Sequence, residues 1–373
     1  MICVECEKIK SYFFDNTRFF IFLPTSETFL KVKNLAIQNQ WQISEHDTYC
    51  LSIPIEQNQI ETFLLSIYGQ LNGPEQANTK ITTTNNQLTL DYEAIGRLIH
   101  LDVFVNRYKS LWIIDSVEQK NYETWFQPIV DIKKGDLTAP PTFAHEALFR
   151  IKDDTGTIIP PAHVFKTAAH SDLLFSLDLV ARKSAIEHAA KANIHSKIFV
   201  NFDPSSIYDP SYCLRSTAAA IANAGLCYQN VVFEVTETHN AKDIQHLRGI
   251  LAFYRKAGFG VALDDIGAGW SGLNLMNALM PDYIKIDMEL IRDIDISPSQ
   301  QNIVKHLIAS AKENGIKVIA EGIETMAEAE CLKQMNADYL QGFLFGKPEL
   351  KSQPNTHAQL HQQAQQQTQT INP

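Results

Sequence analysis

Between residues 121 and 350, short apolar runs recur at intervals filled by helix-length segments: 125–130, 143–151, 197–202, 231–236, 260–264, 283–286, 317–320 and 339–345. Eight strand-length runs that mostly alternate with helices predict a (β/α)8-type TIM barrel, because parallel strands need a crossover of helix length between them. The pattern before residue 90 differs. Residues 19–23 read as a strand, 27–39 as a helix behind the cap-like Ser26, and 41–44 and 49–53 as strands around a Glu-His-Asp turn. Then 57–71 reads as a helix with Ile60, Phe63, Leu64 and Ile67 on one face, and 80–83 as a last strand. That βαββαβ order fits a small α+β domain of ferredoxin-like type. Ile95, Leu98, Ile99, Val103, Tyr108 and Leu111 give 92–118 a helical spacing. The expected organisation is a regulatory domain over 1–90, a connecting helix over 91–118, a barrel over 119–351 and a disordered Gln-rich tail over 352–373.

Polar residues stand at or just beyond the ends of six of the barrel runs: Glu146, Asn201, Glu234, Asp264 with Asp265, Lys285 and Glu321. In a barrel the C-terminal strand ends face one mouth, so groups distant in sequence converge there. Strand parity puts Glu146, Leu148 and Arg150 on one face, with His145 and Phe149 on the other. A single carboxylate in an apolar strand reads most simply as a salt-bridged core acid. Five acids converging with one amide and one lysine would repel one another strongly, and oxygen-rich clusters of this kind hold Mg2+ or Mn2+. The adjacent pair Asp264-Asp265 suits a site for two ions, which lie about 3.5–4 Å apart where phosphate esters are hydrolysed.

Charge narrows the ligand. The chain has 42 acidic and 32 basic residues, a net charge of −10, and 45% hydrophobic residues. That composition is globular, and it offers no electrostatic basis for holding a long nucleic acid. A small anion remains compatible if a divalent metal neutralises the acids around it. No run approaches the roughly 20 apolar residues that span a bilayer, and no clean signal-peptide core is present, so the expected location is cytoplasmic, with no membrane insertion. Six cysteines are too sparse for a disulfide framework. Cys3 and Cys6 form a lone C-x-x-C without a second pair at zinc spacing, so two ordinary thiols are the better reading than a metal or redox pair.

Seven segments carry a resemblance: Glu146-Ala147-Leu148, Asn201 in Val-Asn-Phe, Glu234-Val235-Thr236-Glu237, Asp264-Asp265-Ile266-Gly267-Ala268-Gly269, Lys285-Ile286-Asp287, Glu321-Gly322-Ile323-Glu324, and the stretch from Gln341 to Pro348. In order and spacing they resemble the EAL-domain cyclic-di-GMP phosphodiesterases. The resemblance implies a modified barrel with one antiparallel strand. It also implies hydrolysis of cyclic-di-GMP to linear pGpG with Mg2+ or Mn2+, in a homodimer. The alternative is an inactive receptor that binds the dinucleotide and signals through the N-terminal domain.

On that resemblance Glu146, Asn201, Glu234 and Asp264 ligate one metal, and Asp264 with Asp265 reaches a second. Lys285 holds the attacking water or the phosphate charge. Glu321 is a general base or a ligand of the second metal, Gln341 hydrogen-bonds metal-bound water, and Glu237 braces the Asp-Asp loop. Expected substrate contacts are Gln127, Leu148, Arg150, Asp287, Glu324 and Phe345, with plain barrel-wall or core roles as the alternatives for Arg150 and Phe345. The chain departs from the family pattern at Ile266 (commonly Phe), Trp270 (commonly Tyr), Ala144-His145 (commonly Gly-Tyr) and Asp203 (often Ser). None of these removes an expected ligand.

Overall fold

The computed structural model describes residues 12–203, 210–236, 244–267 and 272–351; Cys3, Cys6, Glu237, Trp270 and the 352–373 segment lie outside the described residues. The chain divides into two compact units. One comprises the described residues of Met1–Asn121 and Ile151–Leu177, the other those of Tyr122–Arg150 and Asp178–Pro373.

In the first unit, β1 (Asn16–Phe22) is the middle strand of an antiparallel sheet with β2 (Ser44–Asp47), β3 (Cys50–Glu56), β4 (Lys80–Asn85) and β5 (Ile99–His100), in the order β2-β3-β1-β4-β5. The first four strands and the helices Ser26–Gln38 and Ile60–Gln70 reproduce the ferredoxin-like order. The two-residue period of β1 sends Phe19 and Ile21 to the helix side, where they join Val32, Phe63, Leu64, Ile67 and Phe104 in one buried core. Each such side chain contributes about 1.5–3 kcal/mol by leaving water.

Three local expectations change. Thr25, not Ser26, caps the first helix, because its hydroxyl accepts the Thr28 N–H at 3.2 Å. The residues expected as a turn, Glu45, His46 and Asp47, belong to β2; its side chains are polar because β2 is an edge strand with one face towards solvent, and the pairing shifts between Glu45 and Asp47. The 91–118 stretch is three helices, Tyr92–Gly96, Leu101–Lys109 and Leu111–Glu118, rather than one. Ile99 and His100 pair with Ile81 and Lys80, which interrupts the helix, and Leu101, Phe104 and Val105 join the core of this unit.

The second unit is built on β6 (Tyr122–Asp131), β7 (Thr142–Lys152), β9 (Lys197–Asn201), β10 (Val231–Thr236), β11 (Gly260–Ile266), β12 (Tyr283–Ile286), β13 (Lys317–Ala320) and β14 (Tyr339–Gln341); a two-residue β8 (Ile158–Ile159) pairs with Ile151 and Lys152. Seven strands from β7 to β14 run parallel in sequence order. β6 pairs antiparallel with β14 on one side and pairs with β7 on the other, which closes an eight-stranded barrel with a single reversed strand. The last strand stops at Gln341 instead of running to 345. At Gly342 a Cβ would lie 2.1 Å from the Ile323 carbonyl oxygen, so the chain turns where only glycine fits. Among the described residues no helix is long and apolar enough to cross a membrane.

Candidate active site

The barrel interior is layered. Ile129, Ala144, Phe199, Val232, Ala262 and Ile319 form a buried apolar cluster, with Tyr283 and Tyr339 packed against it. These are one residue from each of the eight strands. The residue two positions along each strand towards the mouth faces the same interior, and those eight residues are Gln127, Glu146, Asn201, Glu234, Asp264, Lys285, Glu321 and Gln341. For the reversed β6 the step runs backwards, from Ile129 to Gln127. An apolar floor therefore carries a complete polar ring.

Lys285 is the hub. It is 1% exposed, and its Nζ lies 2.7 Å from Glu321 Oε1, 2.8 Å from Glu234 Oε1, 3.2 Å from Asp264 Oδ1 and 3.7 Å from Glu146 Oε1. Gln341 Nε2 donates to Glu146 Oε2 at 2.6 Å and to Gln127 Oε1 at 3.1 Å, and Asn201 Nδ2 reaches Glu146 Oε1 at 3.4 Å.

Strict alternation would turn Asp264 and Asp265 to opposite faces. Between Leu263 and Ile266 the pairing with β12 slips by one residue, and Asp265 takes the left-handed backbone at φ 58°. A bulge of this kind re-aims a side chain. It brings one oxygen each of Asp264, Asp265 and Glu321 within 4.8 Å of one another. Ile266, after the bulge, is buried, and its carbonyl accepts the Asp287 N–H at 3.1 Å.

One ammonium cannot neutralise this many acids. Burial pushes the Glu234 carboxyl well above its ordinary value; Lys285 pulls it down, and Glu146 and Asp264 push it further up. Burial raises Glu321 to about 8 against the pull of Lys285, while Asp264 and Glu146 add to the rise. Asp265 is raised to about 6 by burial and by the charge of Asp264. For Lys285, burial alone would lower the pKa, but Asp264, Glu146, Glu234 and Glu321 together hold it well above its ordinary value. The raised carboxyls reflect an excess of buried acid over the one lysine that faces them.

The donor set fits a divalent cation. Glu234 Oε2 and Gln341 Oε1 are buried without a hydrogen-bond partner among the described residues, which native proteins rarely tolerate unless an ion or water completes the site. All the nearby ligand atoms are oxygens, the preference of Mg2+ and Mn2+.

Around this ring the remaining expected residues are placed less directly. Arg150 is partly buried, which lowers its pKa; it stacks 5.4 Å over the Trp125 ring and donates to the Phe149 carbonyl at 2.9 Å. Leu148 and Phe345 are half-buried. Glu324 is ion-paired to Arg292 at 2.6 Å, and Asp287 caps its own short helix by accepting the Glu289 N–H at 2.7 Å. His145 hydrogen-bonds Ser196 across 2.9 Å and takes no part in the ring. Trp125 was not singled out from the sequence, yet it shares the inward parity of Gln127 and lies under Arg150, with its Nε1–H donated to Glu123 at 2.7 Å. The two-residue step from Gln127 was the available signal.

The EAL domain family model matches residues 112–348. The chain is 32% identical over 233 residues to the probable cyclic di-GMP phosphodiesterase PdeG of Escherichia coli K12, covering 60% of this chain and 44% of that protein. It is 28% identical over 236 residues to the probable cyclic di-GMP phosphodiesterase PdeB of the same organism, covering 62% and 44%. The match thus spans less than half the length of these curated relatives. Among solved structures, a standalone EAL protein from Vibrio cholerae O395 in its c-di-GMP-bound form superposes with a TM-score of 0.56 at 32% identity, covering 62% of this chain and 94% of that one.

Proposed function

Because the chain belongs to the EAL domain family, we propose that it is a metal-dependent phosphodiesterase that hydrolyses cyclic-di-GMP to linear pGpG, acting as a homodimer in the cytoplasm. The observation that carries this reading is the complete polar ring on the apolar barrel floor, with Lys285 among four carboxylates. In this reading Glu146, Asn201, Glu234 and Asp264 hold one Mg2+ or Mn2+, and Asp264 with Asp265 holds a second, next to Glu321. When bound, the ions supply positive charge at the phosphate and bring the pKa of a water towards neutrality.

The residues of the chain do the rest. Lys285 keeps a fixed positive charge at the mouth, where negative charge grows on the phosphate in the transition state. Gln341, anchored on Glu146 and Gln127, orients the water. Glu321, 2.7 Å from Lys285 and beside Asp264 and Asp265, is the carboxylate placed to take the proton as the water oxygen bonds to phosphorus. One phosphate–sugar ester bond breaks, and its oxygen leaves as an alcohol on the opened dinucleotide, taking up the proton that Glu321 accepted. Arg150 over Trp125 and the half-buried Phe345 supply cationic and apolar surface for the substrate, with Leu148, Asp287 and Glu324 as the further contacts. Glu237, which lies outside the described residues, is assigned to bracing the Asp-Asp loop.

The test is a turnover assay with Mg2+ or Mn2+ on the full chain and on Glu146→Ala. Conversion of cyclic-di-GMP to pGpG that disappears in Glu146→Ala is expected. A wild-type chain that leaves the dinucleotide uncut in both monomeric and dimeric fractions would overturn the proposal.

A further inference from the structure

A second buried charge cluster lies outside the ring. Arg182, on the helix Leu174–Lys191, is 0% exposed. Its Nη2 lies 2.7 Å from Asp178 Oδ2 one turn earlier, and its Nη1 donates to Thr217 Oγ1 at 3.3 Å on the helix Pro210–Asn223. The guanidinium carbon stands 5.2 Å from the centre of the Phe202 ring, and the other oxygen of Asp178 accepts the Asp203 N–H at 3.2 Å. Both partners of the pair therefore touch residues 202 and 203, the two that follow Asn201.

Those residues are where β9 leaves the barrel. The Phe202 N–H donates to the carbonyl of Glu234 at 2.9 Å, and its ring packs 5.5 Å from Phe233 and 5.2 Å from Tyr254. Two successive backbone N–H groups after Asn201 are thus anchored, one to a ring residue of the neighbouring strand and one to Asp178. Stability does not explain the charges, since well-packed apolar residues often replace a buried ion pair at no cost. An apolar pair, however, has no oxygen with which to hold the Asp203 N–H.

We propose that Asp178 and Arg182 are positioning residues: the ion pair fixes the exit of β9 so that the Asn201 side chain is presented to the metal. The inference rests on the reading of Asn201 as a metal ligand given above. Arg182 aims the Asp178 carboxylate, and the carboxylate holds the backbone two residues beyond the ligand.

The experiment titrates Mn2+ into the full chain, with free Mn2+ read by electron paramagnetic resonance, and records thermal unfolding of the same samples. Asn201→Ala sets the size of losing the ligand itself. Asp178→Leu/Arg182→Met should stay folded at the temperature of the titration but weaken Mn2+ binding about tenfold or more, the usual effect of removing a group that braces a ligand. Cyclic-di-GMP turnover should fall at limiting Mn2+ and recover at saturation. Asp178→Asn/Arg182→Met restores an acceptor oxygen without charge and should regain most of the affinity. Wild-type Mn2+ affinity in Asp178→Leu/Arg182→Met overturns the inference. If that variant does not fold, Arg182→Lys, which keeps the charge but loses the planar fork joining Asp178 to Thr217, is titrated instead, and unchanged affinity there overturns it equally. A wild-type chain that binds no Mn2+ removes the metal reading itself, and an Asn201→Ala chain that binds it normally removes the premise that Asn201 is a ligand and overturns the inference with it.

Discussion

The two units bury very different interiors. Among the described residues the first unit buries one charged side chain, Arg18, whereas the barrel unit buries eleven: Glu123, Asp131, Glu146, Asp178, Arg182, Asp203, Glu234, Asp264, Lys285, Glu328 and Asp338. Phe19, Ile21, Phe63 and Phe104 show that an apolar sandwich of sheet and helices suffices for a small unit. The barrel has an apolar floor of its own. Buried charge is weak evidence for stability, so its concentration in one unit points to work of another kind. Four of the eleven stand in the ring at the mouth, and two more brace the end of β9.

That contrast can be broken in several ways. Glu234→Gln keeps the shape of a fully buried side chain and should leave folding of both units intact. Its turnover is expected to fall more than the roughly 10–100-fold typical of residues that only brace a ligand; a kcat within tenfold of wild type would place the chemistry elsewhere. Phe63→Ala, in the fully apolar core, should do the reverse, costing about 3–5 kcal/mol in urea unfolding of the first unit while Mn2+ affinity stays at the wild-type value.

Lys285→Met tests whether the ring depends on its internal cation. Removing one partner from a buried ionic cluster costs about 3–5 kcal/mol, so the metal-free variant should melt well below wild type. Mn2+ at 100 times its Kd should return about 2.7 kcal/mol by mass action. No recovery on adding Mn2+ would show that the carboxylates do not bind it.

A smaller effect follows from Glu321 and Asp265, raised to about 8 and about 6. Between the ordinary carboxylate range and about pH 8, the folded metal-free protein keeps protons that the unfolded chain has already released. Stability therefore falls as pH rises through that window. Below about pH 6.5 the half-buried His145 and His188, whose pKa values burial lowers, pull the other way. The urea midpoint of the metal-free chain should therefore drop between about pH 6.5 and pH 8, and saturating Mg2+ should flatten the trend; a midpoint that rises there would contradict these shifts. The smallest change expected is Thr25→Ala, a lost helix cap worth about 1 kcal/mol in the first unit, with turnover unaffected.

Much of the ring was legible because several strands are short, apolar runs with a polar residue at or near the end, as in Val231–Thr236 with Glu234. Gln127 and Gln341 became site residues only through the resemblance, since Gln127 lies inside the reversed β6 and Gln341 inside the expected 339–345 run rather than at its end. Asp178 and Arg182 sit on a helix at the spacing of an ordinary surface ion pair, and nothing in that spacing says they are buried. The break of the 92–118 stretch was hidden for a similar reason: Ile99 suits a helix as well as a strand, and its pairing with Ile81 is a long-range event.

The sequence alone determined the barrel, its strands and the acids at their ends, because a two-residue period and a helix-length spacing are local properties that the chain carries wherever it folds. It also determined the excess of acid over base. Only the tertiary structure decided how those acids meet. The bulge that turns Asp264 and Asp265 towards Glu321, the four carboxylates that share one lysine, and the ion pair behind Asn201 depend on closure of the sheet, which sets distances between residues far apart in the chain.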